Sequence, residues 1–143
     1  MSSMAPLSFA ADESADEKMN ELKFYTAAKE GRLMLLKAML SAGMNVNSKN
    51  TVGRTALMGA AYYGNKSIVR ELVAEGVDLN LADEQGKTAL MLAVANKRME
   101  IVNVLLDAGA DVTLADKKEK TAITMAEKTK NKKLIKLLES ASE

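Results

Sequence analysis

An all-α solenoid of stacked helix–turn–helix units is the fold class this sequence predicts, and three observations predict it. The first is a period of 33 residues: Thr55-Ala-Leu-Met-Gly-Ala-Ala61 returns as Thr88-Ala-Leu-Met-Leu-Ala-Val94 and again as Thr121-Ala-Ile-Thr-Met-Ala-Glu127. The second is the register around those blocks, where Gly43, Gly76 and Gly109 fall in line, Gly53 matches Gly86, and Asn50 matches Asp83 and Asp116. The third is composition: 48% of residues are hydrophobic but only 3% aromatic, so the core must be built from Leu, Ile, Val, Ala and Met. Small, Ala-rich faces suit helices stacked closely side by side. In such a fold each unit buries its apolar face only against its neighbours, which leaves a long binding surface and no ready-made reaction chamber.

The 143 residues suffice for one domain, and the period divides them. Residues 1–17 read as an acidic, flexible lead-in carrying Asp12, Glu13, Asp16 and Glu17. The repeat domain follows over 18–143 in units of 18–50, 51–83, 84–116 and 117–143. In the first unit Leu22 to Ala28 holds the register of Thr55 to Ala61, so its opening turn is degraded. The last unit stops short of a full period, and Glu139 stands where the others have Leu40, Val73 and Leu106. Atypical ends are expected, because terminal units face water on one side.

Each unit reads as turn, helix, short turn, helix, loop. Thr55, Thr88 and Thr121 are N-caps, since a Thr hydroxyl can satisfy free N–H groups of the first turn. The helices they open are short, about two turns long by their spacing. Gly64-Asn65 closes the one in unit two, with Gly able to take the left-handed conformation. The second helix of unit three is expected over Met99–Asp107, with Ile101, Val102, Leu105 and Leu106 forming one apolar face. Ala108-Gly109 ends it, Asp111 to Asp116 lead into a projecting turn, and Asp83-Glu-Gln-Gly86 has good turn chemistry.

Several chemistries are excluded at once. With no Cys and no His there are no disulfides, thiolate nucleophiles, histidine bases or usual zinc ligand sets. No nucleotide-binding glycine pattern occurs. Gly59 alone lies inside a helix, where close packing against the next repeat is the expected reason. The carboxylate pairs Asp12-Glu13 and Asp83-Glu84 fall on tail or turn, where they are expected to be solvated and untuned. No catalytic residue, cofactor or metal is therefore assigned. Met34, Met39, Met58, Met91 and Met125 occupy helical positions and are expected to pack in the core.

Compartment has two readings. The segment Met1 to Ala10, with Ser8-Phe9-Ala10 as a small-x-small site, is similar to the end of a secretory signal, but no basic residue precedes it. A flexible tail on a cytoplasmic protein is the leading reading, and export to the periplasm or beyond, with a signal ending near residue 10, is the alternative. No stretch reaches the ~20 apolar residues that span a bilayer, so the mature chain is expected to be soluble.

These features together resemble the ankyrin repeat family over about residues 18–143. The family's opening reads Thr-Pro-Leu-His, then Ala-Ala and Gly-His; here it reads Thr55-Ala-Leu-Met-Gly-Ala-Ala61, then Gly64-Asn65. The later Val-x-x-Leu-Leu and Gly-Ala-Asp-x-Asn elements appear as Val102-Asn-Val-Leu-Leu106 and Gly109-Ala-Asp-Val-Thr113. The chain departs from the pattern in two places. Ala56, Ala89 and Ala122 replace a proline suited to the first helical position. Met58 and Met91 replace a histidine that would bond neighbouring turns, and Met cannot make that bond. Weaker coupling between units, with the ends fraying first, is the expected consequence.

The resemblance implies a non-catalytic protein-interaction module whose projecting turns and exposed first-helix sides form a concave face. By register, the turn positions are Thr51, Val52 and Arg54, then Glu84, Gln85 and Lys87, then Lys117, Lys118 and Lys120. The helix positions are Lys29-Glu30, Tyr62-Tyr63, Ala95-Asn96 and Lys128-Thr129. Two adjacent tyrosines in this strip draw notice in a chain with five aromatic residues, because Tyr is a rigid binding anchor with a polar handle. The alternative is that one ring packs on the neighbouring repeat and only the other is free. Charge is graded along the strip. Lys117, Lys118, Lys120, Lys128, Lys130, Lys132, Lys133 and Lys136 face only Glu119 and Glu127 at the end. A solvated cap is the plain reading of that patch, an acidic stretch on a protein partner comes second, and nucleic acid, lacking Arg and interleaved aromatics here, comes third. The expectation is a monomer binding a protein partner through Tyr62, Tyr63, Val52 and Arg54, with Lys87, Lys118 and Lys120 guiding an acidic segment. Binding of a polyanion, nucleic acid or anionic lipid, by the lysine-rich end is the alternative.

Overall fold

Thr, Gly and Asx residues recurring at one spacing divide the backbone into eight helices, described in a computed structural model over residues 5–143, with side chains from residue 15 onward. They are α1 (Ala5–Glu30), α2 (Leu33–Ser41), α3 (Ala56–Tyr63), α4 (Lys66–Ala74), α5 (Ala89–Ala95), α6 (Met99–Asp107), α7 (Ala122–Thr129) and α8 (Lys132–Ala141). Consecutive helices pair as antiparallel hairpins, α1 stacks on α3, α3 on α5 and α5 on α7, and the even-numbered helices form a second layer. Three isolated antiparallel bridges, Lys49 to Thr55, Ala82 to Thr88 and Ala115 to Thr121, close the loops between units into projecting turns.

Each short first helix begins as the sequence dictates. The hydroxyls of Thr55, Thr88 and Thr121 accept from the N–H of Met58, Met91 and Thr124, each at 3.3 Å. In the last unit the side chain of Thr124 accepts in turn from the Thr121 N–H, completing a capping box. Stacking of the first helices depends on a column of alanines in register, Ala27, Ala60, Ala93 and Ala126, all essentially without exposure. Phe24, Leu57 and Leu90 form the next buried column, and Leu72, Leu105 and Leu138 anchor the second layer. Ala at the closest approach lets helix axes come near enough for the larger side chains to interdigitate.

The structure revises several sequence expectations. Helix α1 is 26 residues long and takes in most of the acidic lead-in, because no glycine interrupts the chain before Gly31 and Pro6 falls in the first turn, where it is tolerated. The expected signal remnant includes residues 1–4, which lie outside the described residues. Met34 is 76% exposed rather than in the core, since it holds the outward register of Ser67, Glu100 and Lys133. Met58 and Met91 are buried as expected, while Met39 and Met125 are half-buried against the core. Gly59 does mark a close approach, but to the preceding unit: a Cβ there would come within 2.9 Å of the Tyr25 ring.

In place of histidine bonds, asparagines tie the units together. Asn47 Oδ1 accepts from the Asp78 N–H at 2.8 Å, and Asn80 Oδ1 accepts from the Asp111 N–H at 2.9 Å, one unit further along in each case. Asn65 Nδ2 donates to the carbonyls of Ala28 and Lys29 at 2.8 and 2.7 Å, binding unit two back to the end of α1.

Candidate binding face

The three projecting turns share one construction. Asn50 Oδ1 accepts from the N–H of Val52 and Arg54, Asp83 Oδ1 from Gln85 and Lys87, and Asp116 Oδ1 from Lys118 and Lys120, at 2.8 to 3.1 Å. An Asx side chain that holds its own turn in this way fixes the direction of the residues between. The second and third turns also bond to each other, Lys117 N–H to the Gln85 carbonyl at 3.0 Å. They sit so close that a Cβ on Gly86 would lie 3.0 Å from the Lys117 nitrogen.

This construction overturns the expectation that Asp83 is a solvated turn carboxylate. Asp83 is 8% exposed and Asp116 7%, because the next unit covers the base of each turn, whereas Glu84 stays exposed as expected. The hydrogen bond from the Lys120 N–H, more than any other influence, holds the Asp116 carboxyl below its ordinary pKa. Arg54, expected to reach toward a partner, is instead half-buried and directed along the turns, its Nε 3.6 Å from Asp83 Oδ2. Burial opposes its charge, but the Tyr25 hydroxyl and the Asp83 carboxylate more than offset that, so its pKa lies above the ordinary value.

The tyrosines stand out at the C-terminal end of α3. Tyr62 is 39% and Tyr63 44% exposed, so neither is buried against the neighbouring repeat. Their centroids are 4.9 Å apart at 62° between planes, an edge-to-face pair, and the Lys29 ammonium lies 5.4 Å from the Tyr63 ring centroid. Two rings held against each other present a rigid apolar surface with two hydroxyls at little further entropic cost. Val52, 46% exposed on the first turn, adds an aliphatic contact, and Thr51 beside it is exposed too.

At the other end the turns and first helices enclose a groove of about 620 Å³. Lys87, Lys97, Lys117, Lys118, Lys120 and Lys128 line it, with Glu84, Gln85 and Asp116 from the turns. Ala95, Met125 and Thr129 complete the lining. Seven residues expected on the binding face (Glu84, Gln85, Lys87, Lys117, Lys118, Lys120 and Lys128) are thus brought together around one volume. Asn96 is not among them: its side chain donates to the Leu92 carbonyl at 2.9 Å and caps α5 instead.

Sequence reasoning missed Lys97, although its register carries a signal. Positions 31, 64, 97 and 130 hold Gly, Gly, Lys and Lys, and all four have positive φ, with both lysines at +58°. A lysine in the left-handed region is uncommon and costs roughly 1–2 kcal/mol against glycine.

Among the described residues no group of three or more acidic side chains is placed to hold a metal ion, and no helix is long and apolar enough to cross a membrane. The family model for ankyrin repeats matches residues 24–116 in three copies, more than half of the chain. No curated protein matches the sequence.

Proposed function

The chain belongs to the ankyrin repeat family, whose repeats are in general protein–protein interaction modules and typically non-catalytic, and on that premise we propose that it holds a protein partner on the concave face made by its first helices and projecting turns. The observation that carries this reading is the exposed, edge-to-face Tyr62–Tyr63 pair. Aromatic side chains in such a place dominate binding energy when covered, and the exposed Val52 extends the same surface. Arg54 contributes at one remove, by bracing the first turn against the second through Asp83. The lysines of the second and third turns, Lys87, Lys118 and Lys120, attract an acidic segment and mainly raise the association rate, with a dependence on salt. The module acts as a monomer and needs no cofactor.

Affinity capture from native extract, comparing the parent chain with its Tyr62→Ala/Tyr63→Ala variant, tests the reading. The expected result is a protein retained by the parent and lost from the variant. Equal retention by both, abolished in moderate salt, would contradict it and move the function to the lysine-lined groove as a general polyanion site.

A further inference from the structure

Six ammonium groups around one volume of about 620 Å³ demand an explanation, because the protein does not neutralise them itself. The ion pairs among the described residues are Lys37–Glu71, Arg54–Asp83 and Lys66–Glu100, and none includes a groove lysine. The two carboxylates in the lining fall short of them: Asp116 is 7% exposed, accepts from two N–H groups of its own turn and offsets the charge of Lys120 only in part, and Glu84 is a single exposed charge on the second turn. Lys97, at a left-handed position that glycine fills in the first two units, adds an ammonium to this rim where those units have no side chain.

We infer that this groove binds a phosphate monoester carried on a flexible segment of the protein partner, a phosphoserine or phosphothreonine, between the ammonium groups of Lys120 and Lys128. The inference rests on the binding-module reading and assigns the chemistry of the acidic segment. Lys128 stands close enough to Lys120 that the contact of their side chains and their like charge lower the latter's pKa, an opposition that Asp116 only partly offsets. A carboxylate brings one negative charge to six ammonium groups, whereas a phosphate monoester brings about −1.5 to −2 at neutral pH and three acceptor oxygens that several of them can share. Lysine binds phosphate as a point charge without needing a planar fork, which accounts for a cluster of lysines free of arginine.

The rest of the volume says what carries the phosphate. A lone phosphate occupies a small part of the groove, and Ala95 and Met125 offer apolar lining that a peptide backbone and neighbouring side chains would cover. A phosphate held in a bilayer surface would have to reach a groove recessed between turns and helices, whereas one on an extended chain enters it directly. The same chain, running along the first helices from α7 toward α3, then meets the tyrosine pair.

The test uses the full chain and a fluorescent degenerate peptide library with phosphoserine fixed at its centre, alongside matched libraries with serine or glutamate there. Phosphatidylcholine vesicles carrying a phosphoinositide form a separate arm. The phosphoserine library should bind at least about tenfold tighter than the serine library, with inorganic phosphate competing. Lys120→Gln/Lys128→Gln should erase that preference, while Lys133→Gln/Lys136→Gln, an equal loss of charge on α8, should keep it. Equal binding of the phosphoserine and serine libraries, a glutamate library matching phosphoserine, or tighter binding to the vesicles than to peptide would each overturn the inference. Those results leave the Tyr62→Ala/Tyr63→Ala capture unaffected, so failure of the phosphate site and failure of the binding module are read separately.

Discussion

Where the first two units turn between their helices the chain uses Gly31 and Gly64, and where the last two make the same turn it uses Lys97 and Lys130 in the same left-handed conformation. The bonds between units change in the same direction. Asn65 reaches back to two carbonyls within 2.8 Å; its counterpart Arg98 donates to the Tyr62 carbonyl at 3.3 Å; and Asn131 meets only the Met99 sulfur at 3.9 Å. One half of the solenoid is therefore relaxed, well bonded and topped by an apolar tyrosine pair. The other is strained at these turns, more weakly bonded at these positions and heavily charged. Charge gathered for a ligand repels itself when the ligand is absent, a recurring compromise between binding and stability.

The sharpest way to break this comparison is at the interfaces. Asn65→Ala removes two cross-unit hydrogen bonds and should cost about 2 kcal/mol in urea unfolding. Asn131→Ala loses its cap bond to the Leu134 N–H but no strong cross-unit bond, and should cost about 1 kcal/mol. Equal losses would mean that the two ends are held alike. Next in size, Lys97→Gly and Lys130→Gly should each raise stability by about 0.5–1 kcal/mol, the relief of left-handed strain less the added freedom of the unfolded chain. The reverse change, Gly64→Lys, should cost at least as much, because a Cβ there lies 3.0 Å from the Arg98 guanidinium carbon.

Acid offers a third test. The carboxylates whose pKa values are lowered, Glu100 by its hydrogen bond to Lys66, Asp111 by Thr113 and Asp116 by the Lys120 N–H, all lie in the third unit. A group whose folded pKa is depressed adds stability that is complete above its unfolded value and disappears as pH falls through the folded one. Their ordinary values are 4.5 and 3.8, so hydrogen exchange should lose protection in residues 99–143 before residues 24–83 as pH drops below that range. The effect is modest, since the shifts come from hydrogen bonds at the surface and burial opposes them. Smallest of all, Asp116→Asn should change stability by no more than about 0.5 kcal/mol, because Asn50 makes the same two turn bonds in the first turn. Asp116→Ala should cost more than Asn, about 1–2 kcal/mol, by leaving two N–H groups unpaired.

Much of the fold was legible because its signals are local and repeated. The Thr caps, the bounds of α6 and the direction of the projecting turns depend on residues within a few positions of each other. The exposed tyrosines were legible as a pair, though not their edge-to-face contact. What escaped the sequence depends on neighbours a whole unit away. Asp83 looks solvated until the following unit covers it, and Arg54 looks free until Asp83 stands 3.6 Å off. Asn65 reads as a helix terminus, and only stacking shows that its amide reaches Ala28 and Lys29. Lys97 was hidden differently, since a charged residue in a glycine register looks like drift until its φ is seen.

Site-specific photo-crosslinking tests the central claim most directly. A photoreactive residue would replace Val52 on the first turn, Lys118 on the third, or Arg70 and Lys133 on the second-helix layer. Binding on the concave face predicts one and the same protein crosslinked from positions 52 and 118 and none from 70 or 133. A partner captured only from positions 70 or 133 would contradict it and place the interaction on the opposite side of the solenoid.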